Sequence, residues 1–245
     1  MKNNTDTKNN DIVKNKNYYV KEVNPKTARE LIKKYHYSGK SVPNSQLHLG
    51  VHNLETDELE GVLQFGTPMN AKKTPQKLIQ GATQNDMYEL NRMAMTDDAP
   101  KFSESQAIGL CIKWLKRFRK DIKWLLSFSD GKEGNVGTIY QATNWKYYGY
   151  NISNSFFDLD GTIMHKVTSW HRHREGRTCG RTEREILCEM YDNVSVIYSK
   201  QHIYIFPLVK GLQPMREECE YPKHNDEPKI IKRDWIKKDG VIVKK

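Results

Sequence analysis

The sequence predicts an α/β fold, a mixed sheet in one layer with helices packed on its faces, built as a single domain. Three observations carry that expectation. Strand and helix patterns follow one another in the order β-α-β-β-β-α-β-α-β. One pair of apolar runs is joined by a short polar turn, as in an antiparallel hairpin. With 245 residues and 37% apolar content, the chain can fill one core of ordinary size and leave residues over for tails.

Residues 1–16 hold five Asn and almost no apolar side chain, too little burial to offset the entropy of ordering, so a disordered N-terminal tail is expected there. Residues 18–23 alternate as a strand. Pro25 suits the first turn of a helix in which Ala28, Leu31, Ile32 and Tyr35 recur at helical spacing up to His36, and Gly39 ends the element. Residues 47–51 and 60–65 are the hairpin strands, turning at 54–58; residues 67–87 read as a loop and 88–95 as a further strand.

Ser103-Glu104-Ser105-Gln106 has the form of a capping box, and Ala107, Ile108, Cys111, Trp114, Leu115 and Phe118 then follow one helical face. Its other face and end carry Lys113, Lys116, Arg117, Arg119, Lys120 and Lys123, a pattern that suits a solvated face and also a polyanion. Residues 124–128 read as a buried strand, 136–144 as a short helix, and 147–150, 155–159 and 202–208 as the strands of the second half. The folded domain is expected over 17–214, with a basic C-terminal tail at 215–245.

Lys and Arg number 40 against 30 Asp and Glu, a formal charge of +10. That balance favours a polyanionic partner, most simply nucleic acid, although a basic enzyme of a lysine-rich proteome would look the same. No apolar run approaches the ~20 residues of a membrane span, and the N-terminus lacks the apolar segment of a signal peptide. No membrane partner is expected, and the location is expected to be cytoplasmic. The four cysteines show no spacing of a disulfide framework and fit a reduced compartment.

Two dense clusters remain. One is Tyr35-His36-Tyr37-Ser38-Gly39; the other runs from Ser127 to Tyr150 and sets Asp130 between an apolar strand and a short polar helix. With Glu89-Leu90-Asn91-Arg92-Met93, Phe102-Ser103-Glu104-Ser105 and the run Gly137-Thr138-Ile139-Tyr140-Gln141-Ala142-Thr143-Asn144-Trp145, they stand in an order that resembles the bacteriophage Mom family of DNA adenine-modification proteins. That family is itself similar to the GNAT acyltransferase fold. The resemblance covers about residues 18–150 and, more weakly, Ile203-Tyr204-Ile205-Phe206. It implies a GNAT-like, mixed and largely antiparallel sheet. It also implies conversion of adenine N6 in double-stranded DNA to N6-carbamoylmethyladenine, which shields DNA from restriction. Carried over residue by residue, the catalytic positions are His36, Tyr37, Ser105, Asp130 and Tyr140. Asn91, Arg92, Ser103, Ser129 and Asn144 fall within the same motifs as substrate-binding positions.

The residues themselves allow that chemistry. The lone pair of adenine N6 is delocalised into the ring, so attack on a carbonyl needs a base. Asp130 at a strand end is the first choice, and a capping or turn role is its alternative. His36 can orient a base, bind an oxygen or ligate a metal, and a histidine at a helix C-terminus is also favourable electrostatically. Which of His36 and Asp130 takes the proton is open. Tyr37 and Tyr140 can donate to an oxyanion or stack on a base, or serve as core. Ser105 can hold an anion at a helix start or help to initiate the helix.

To reach N6 the base must be flipped from the duplex, which requires strong backbone binding. Residues 166–184 offer Arg172, Arg174, Arg177, Arg181 and Arg184, and six basic against two acidic side chains leave +4 there. His171, His173, Cys179 and Cys188 match no standard zinc pattern, and the metal requirement stays open, iron included. Between Met95 and Gly109 there is no Arg-x-x-Gly-x-Gly/Ala loop, which disfavours acetyl-CoA as donor. A glycyl group on N6 would be isomeric with the carbamoylmethyl product, so glycyl-tRNA is a candidate donor and tRNA a candidate partner. The competing readings are a GNAT-type N-acetyltransferase of a protein or small amine and a DNA-binding protein that blocks a nuclease without catalysis.

Overall fold

The computed structural model describes residues 11–173, 180–223, 230–238 and 241–244. Along the chain run β1 (Val13–Lys14), β2 (Tyr18–Glu22), α1 (Pro25–Tyr35), β3 (Ser45–Asn53), β4 (Leu59–Gly66), α2 (Lys73–Leu78), β5 (Met87–Met95) and α3 (Ser103–Phe118). There follow β6 (Trp124–Asp130), a 3₁₀ turn at Gly131–Glu133, α4 (Thr138–Gln141), β7 (Lys146–Leu159) and β8 (Thr162–His165). The chain continues through α5 (Lys166–Arg172), α6 (Glu183–Met190), β9 (Val194–Pro207), β10 (Ile231–Lys238) and β11 (Val241–Lys244). The fold is mixed α/β with a largely antiparallel sheet, as the sequence predicts. The residues gather into two compact units, the first of Met1–Phe128, Gly137–Gly149 and Ile203–Tyr221, the second of Ser129–Val136, Tyr150–His202 and Pro222–Lys245.

In the first unit the strand order is β1-β2-β3-β4-β5-β6-β9. Strands β2 to β5 pair antiparallel, and β5 then pairs parallel with β6. Helix α1 starts as its sequence dictates, with Asn24 accepting from the Lys26 amide and Pro25 needing no donor at the first helical position. It buries Ala28, Leu31 and Ile32 against Val62 and Ala94. The apolar stripe of α3 packs Ala107, Ile108, Cys111, Trp114 and Leu115 into a core shared with Leu49, Leu63, Phe65 and Tyr204. Ile79, Met87, Trp124, Leu126, Tyr148, Ile203 and Ile205 form a second core cluster.

The second unit pairs β7 with β8, β9 with β10 and β10 with β11, all antiparallel. Phe157, Leu159, Met164, Leu187, Val194 and Val196 fill its core.

Four expectations are corrected. The N-terminal tail is shorter than 1–16 over its described part: Val13 pairs with Val20, and Trp114 Nε1 donates to the Asp11 carbonyl at 2.7 Å. The expected capping box does not open α3. Its N-cap is Phe102 with no capping side chain, Ser103 Oγ donates to the Pro100 carbonyl, and Gln106 Oε1 accepts from Asn15 and Asn17. The capping box of the described residues is Thr182–Glu185 at the start of α6. The stretch read as loop carries α2, with Pro75 and Leu78 buried. The expected C-terminal tail holds Tyr221, whose hydroxyl donates to the Trp145 carbonyl, as well as strands β10 and β11.

Candidate active site

The site of the first unit is built on an irregularity in β5. Gln64 pairs with Arg92, Phe65 with Leu90 and Gly66 with Glu89, so Asn91 is one residue more than β4 can match. In a regular strand, residues three apart face opposite sides. The bulge cancels that alternation, because Glu89 and Arg92 stand opposite Gly66 and Gln64, which share a face. Asn91 is buried and accepts from the Ser45 hydroxyl at 3.1 Å. Gly66 permits the crowding, since a Cβ there would lie 2.1 Å from the Asn44 carbonyl and 2.7 Å from Asn91 Oδ1.

Glu89 also marks where the parallel pair ends. Met87, Tyr88 and Glu89 match Trp124, Leu125 and Leu126, and the pairing of β5 with β6 stops there. A gap beyond the last pairing of two parallel strands, at their carboxyl ends, is where α/β sheets place ligands.

Burial raises the Glu89 carboxyl to about 7, against the lowering effects of a hydrogen bond with Asn91 and of the Arg92 charge. Arg92 is held by its own backbone neighbourhood, Nε donating to the Lys40 carbonyl at 3.3 Å and Nη1 to the Asn91 carbonyl at 2.7 Å. Burial and the Arg92 charge lower His36 to about 4. His36 Nδ1 accepts from the Ser38 amide at 3.1 Å, so the neutral ring carries its proton on Nε2 and is a donor there. Tyr37 stacks on His36 with ring centroids 4.3 Å apart and is 92% exposed.

Tyr140 completes the group from α4. Burial raises its hydroxyl above the usual range, the charges of Tyr37 and Glu89 add to that and Arg92 opposes it, which puts the four in one electrostatic neighbourhood. Its ring packs 5.2 Å from Tyr204 and 5.3 Å from Trp145. Among the residues expected from the sequence, the structure therefore gathers His36, Tyr37, Asn91, Arg92 and Tyr140. It adds Glu89, which sequence reasoning missed although it opens one of the motifs; a carboxylate flanked by Tyr88 and Leu90 in a strand of buried residues was the available signal.

Other expected positions have structural occupations. Ser103 is buried and shares a 2.8 Å hydrogen bond with the Tyr18 hydroxyl. Ser105 Oγ donates to the Phe102 carbonyl, and Asn144 takes a left-handed conformation with φ 59° as its amide donates to Gln141. In the second unit Asp130 ends β6 and accepts from the Lys132 amide at 3.0 Å and the Ser199 hydroxyl at 3.3 Å, which is the capping arrangement. Ser129 Oγ donates to the Asn135 carbonyl.

Of the expected nucleic-acid contacts, Arg174 and Arg177 lie outside the described residues, as does Cys179. Arg172 is exposed in the last turn of α5, Arg181 pairs with Glu189, and Arg184 lies over the Trp235 ring at 4.9 Å. His173 is buried and bonded to Ser169 and Tyr191. Among the described residues no three His, Cys, Asp or Glu side chains gather as metal ligands would. The first turn of α3 holds Glu104.

A neutral imidazole donor, a tyrosine kept protonated, a cation and a carboxylate poised near neutrality make a candidate acid–base site on a mixed α/β sheet. The Mom protein family model matches residues 17–224, and the chain belongs to that family. It is 39% identical over 142 residues to the methylcarbamoylase Mom of Escherichia phage Mu, a match covering 58% of this chain. The match spans 57% of that relative's length. Solved structures of similar trace include a GNAT-family acetyltransferase from Bacillus anthracis, at 10% identity and TM-score 0.44, covering 80% of this chain and 98% of that one. Another is the ribosomal-protein-S5-alanine acetyltransferase from Vibrio fischeri, at 7% identity and TM-score 0.45, covering 81% and 97%.

Proposed function

We propose that the chain is a DNA-modification transferase that converts adenine N6 in double-stranded DNA to N6-carbamoylmethyladenine and so protects DNA from restriction. The observation that carries this reading is the Glu89 carboxyl raised to about 7 beside Arg92, Tyr140, Tyr37 and His36. Family membership and the likeness to the Mu relative, a methylcarbamoylase by name, support it. As N6 forms its new bond it must lose a proton, and a base near neutrality is both unprotonated often enough and strong enough to take it. Glu89 meets that condition better than His36, whose lowered value and Nε2–H make it a hydrogen-bond donor.

In this mechanism the adenine is extruded and stacks on the exposed Tyr37. Glu89 receives the N6 proton. Tyr140, neutral at working pH, and Arg92 donate to the oxygen on which negative charge develops. Asp130 shapes the Gly131–Glu133 turn through the Lys132 amide. The basic composition supplies attraction for the DNA backbone. The donor is glycyl-tRNA in this reading: N6 attacks the glycyl ester and the ester oxygen leaves as a tRNA hydroxyl; the glycyl amide then isomerises as N6 and the glycyl amine exchange carbons, the N6–carbonyl and amine–Cα bonds breaking while N6–Cα and amine–carbonyl bonds form, with no net gain or loss of atoms or electrons.

The test is mass spectrometry of nucleosides from plasmid DNA co-expressed with the protein, with Glu89→Gln and Asp130→Asn beside it. The reading expects a deoxyadenosine heavier by one glycine residue, abolished in Glu89→Gln. Loss in Asp130→Asn alone would return the base to Asp130. Unmodified DNA from soluble protein would overturn the reading in favour of acyl transfer to another amine or of nuclease blocking. Full activity of purified protein without charged tRNA would remove glycyl-tRNA as donor.

A further inference from the structure

Strand β6 carries a buried hydroxyl outside the acid–base group described above. Ser127 follows Leu126, which stands beside Glu89 as the last residue of β6 paired with β5. Ser127 is therefore the first side chain of β6 beyond the end of the parallel pairing, at the gap between the two strands. It is 1% exposed, and its Oγ has no hydrogen-bond partner among the described residues. A buried hydroxyl left unpaired is destabilising, which makes its position informative. The indole nitrogens of Trp124 and Trp145 are also buried without a partner, but their rings are packed within core clusters. Ser127 stands where the paired sheet ends.

Strand alternation fixes the side to which that hydroxyl belongs. Leu125 faces the core shared with Trp145 and Tyr204, against which Tyr140 packs, and Ser127, two residues on, faces the same side. Leu126 between them faces the other cluster, with Met87 and Trp124. The Tyr140 hydroxyl, raised chiefly by burial, is lowered by the Ser127 hydroxyl, so the two are neighbours although they do not reach hydrogen-bond geometry. Residues paired across a sheet share a face, so Glu89 lies with Leu126 on the side opposite to Ser127. The gap thus has a carboxyl on one side and two hydroxyls on the other.

We propose that Ser127 is a further catalytic residue, whose hydroxyl donates beside that of Tyr140 to the carbonyl oxygen of the group being transferred. That oxygen gains negative charge as an amine attacks the carbonyl carbon, and it supplies the acceptor that the Ser127 hydroxyl lacks in the free protein. Ser127 donates and does not attack: a serine nucleophile needs a base to take its proton, and Glu89 faces the other side of the sheet. This role rests on the reading of the acid–base group as a transferase site.

The test follows modified deoxyadenosine over time, by mass spectrometry of plasmid DNA co-expressed with the full chain or with Ser127→Ala, per amount of soluble protein. Ser127→Ala should slow modification about a hundredfold, the loss typical of one such donor. Its urea midpoint should be unchanged or raised, because the variant deletes a hydroxyl that bonds to nothing in the free protein. Ser127→Cys, which keeps a weaker donor in a similar volume, should fall between the two in rate. Activity lost without stability is the result that a purely structural serine would not give. Undiminished modification by Ser127→Ala, a lowered midpoint that accounts for the lost activity, or an acyl group found covalently on Ser127 would overturn the proposal and leave the reading of the site standing. Unmodified DNA from soluble parent protein would overturn that reading, and this role with it.

Discussion

Glu89 and Arg92 are three residues apart in β5 and yet face the same side, because Asn91 between them has no counterpart in β4. A carboxylate this near a guanidinium would ordinarily be held low. Here burial outweighs the Arg92 charge and leaves the carboxyl at about 7. The balance follows from geometry, since both Arg92 donor groups that are placed by hydrogen bonds point to backbone carbonyls.

The first prediction concerns stability and pH. A carboxyl raised from 4.5 to about 7 binds more protons folded than unfolded between those values, so its contribution to stability is full at low pH and is lost as pH rises from 4.5 through about 7. Glu89→Gln removes that loss. Urea midpoints should show the variant gaining on the parent across this window, by no more than about 3 kcal/mol, and the gain should level off above it. In turnover the same group gives the opposite profile: kcat/KM of the parent should rise with pH through about 7.

Arg92 lowers both Glu89 and His36. Arg92→Ala should therefore raise both, moving His36 up from about 4 and Glu89 above about 7. Ring-proton chemical shifts of His36 and the carboxyl carbon of Glu89, followed by NMR against pH, check the pair. A rise in only one would mean that the two do not share the guanidinium.

Phe102 opens α3 with φ 69° and 76% of its surface exposed. A left-handed backbone costs a residue with a side chain roughly 1–2 kcal/mol, and the exposed ring recovers little of it. Phe102→Gly should stabilise the protein by about 1 kcal/mol in urea denaturation.

Gly137 combines φ 76° with a Cβ position only 2.4 Å from the Tyr204 ring. Gly137→Ala should destabilise by about 2–4 kcal/mol, from conformation and overpacking together. Because Tyr204 touches the Tyr140 ring, loss of activity should exceed what the unfolded fraction explains.

Most elements of the first unit were legible in the sequence. Alternation in 18–23 and 88–95 and the apolar stripe from Ala107 to Phe118 are signals carried by neighbours in the chain, and the strands and helix stand where those signals put them. What the sequence concealed was decided by distant partners. The capping-box letters at Ser103 and Gln106 were outbid by Tyr18, Asn15 and Asn17. Strand β10 is read as a basic tail until its pairing with β9 is known. The candidate site was half legible: motifs pointed to His36, Tyr37, Arg92 and Tyr140, but the role proposed for Glu89 depends on a bulge and on burial, neither of which a run of letters encodes.

Time enters through the attachment of the N-terminal strands. Asp11 accepts from Trp114, Asn15 and Asn17 donate to Gln106, and Tyr18 bonds to Ser103, contacts that bridge 85 to 103 residues of chain. At a synthesis rate of about 5–20 residues per second, β1 and β2 leave the ribosome roughly 5–20 s before the helix that secures them. Until then the first strands have only one another and the β3–β4 hairpin, so the chain is most open to misassembly and proteolysis while α3 is still being made.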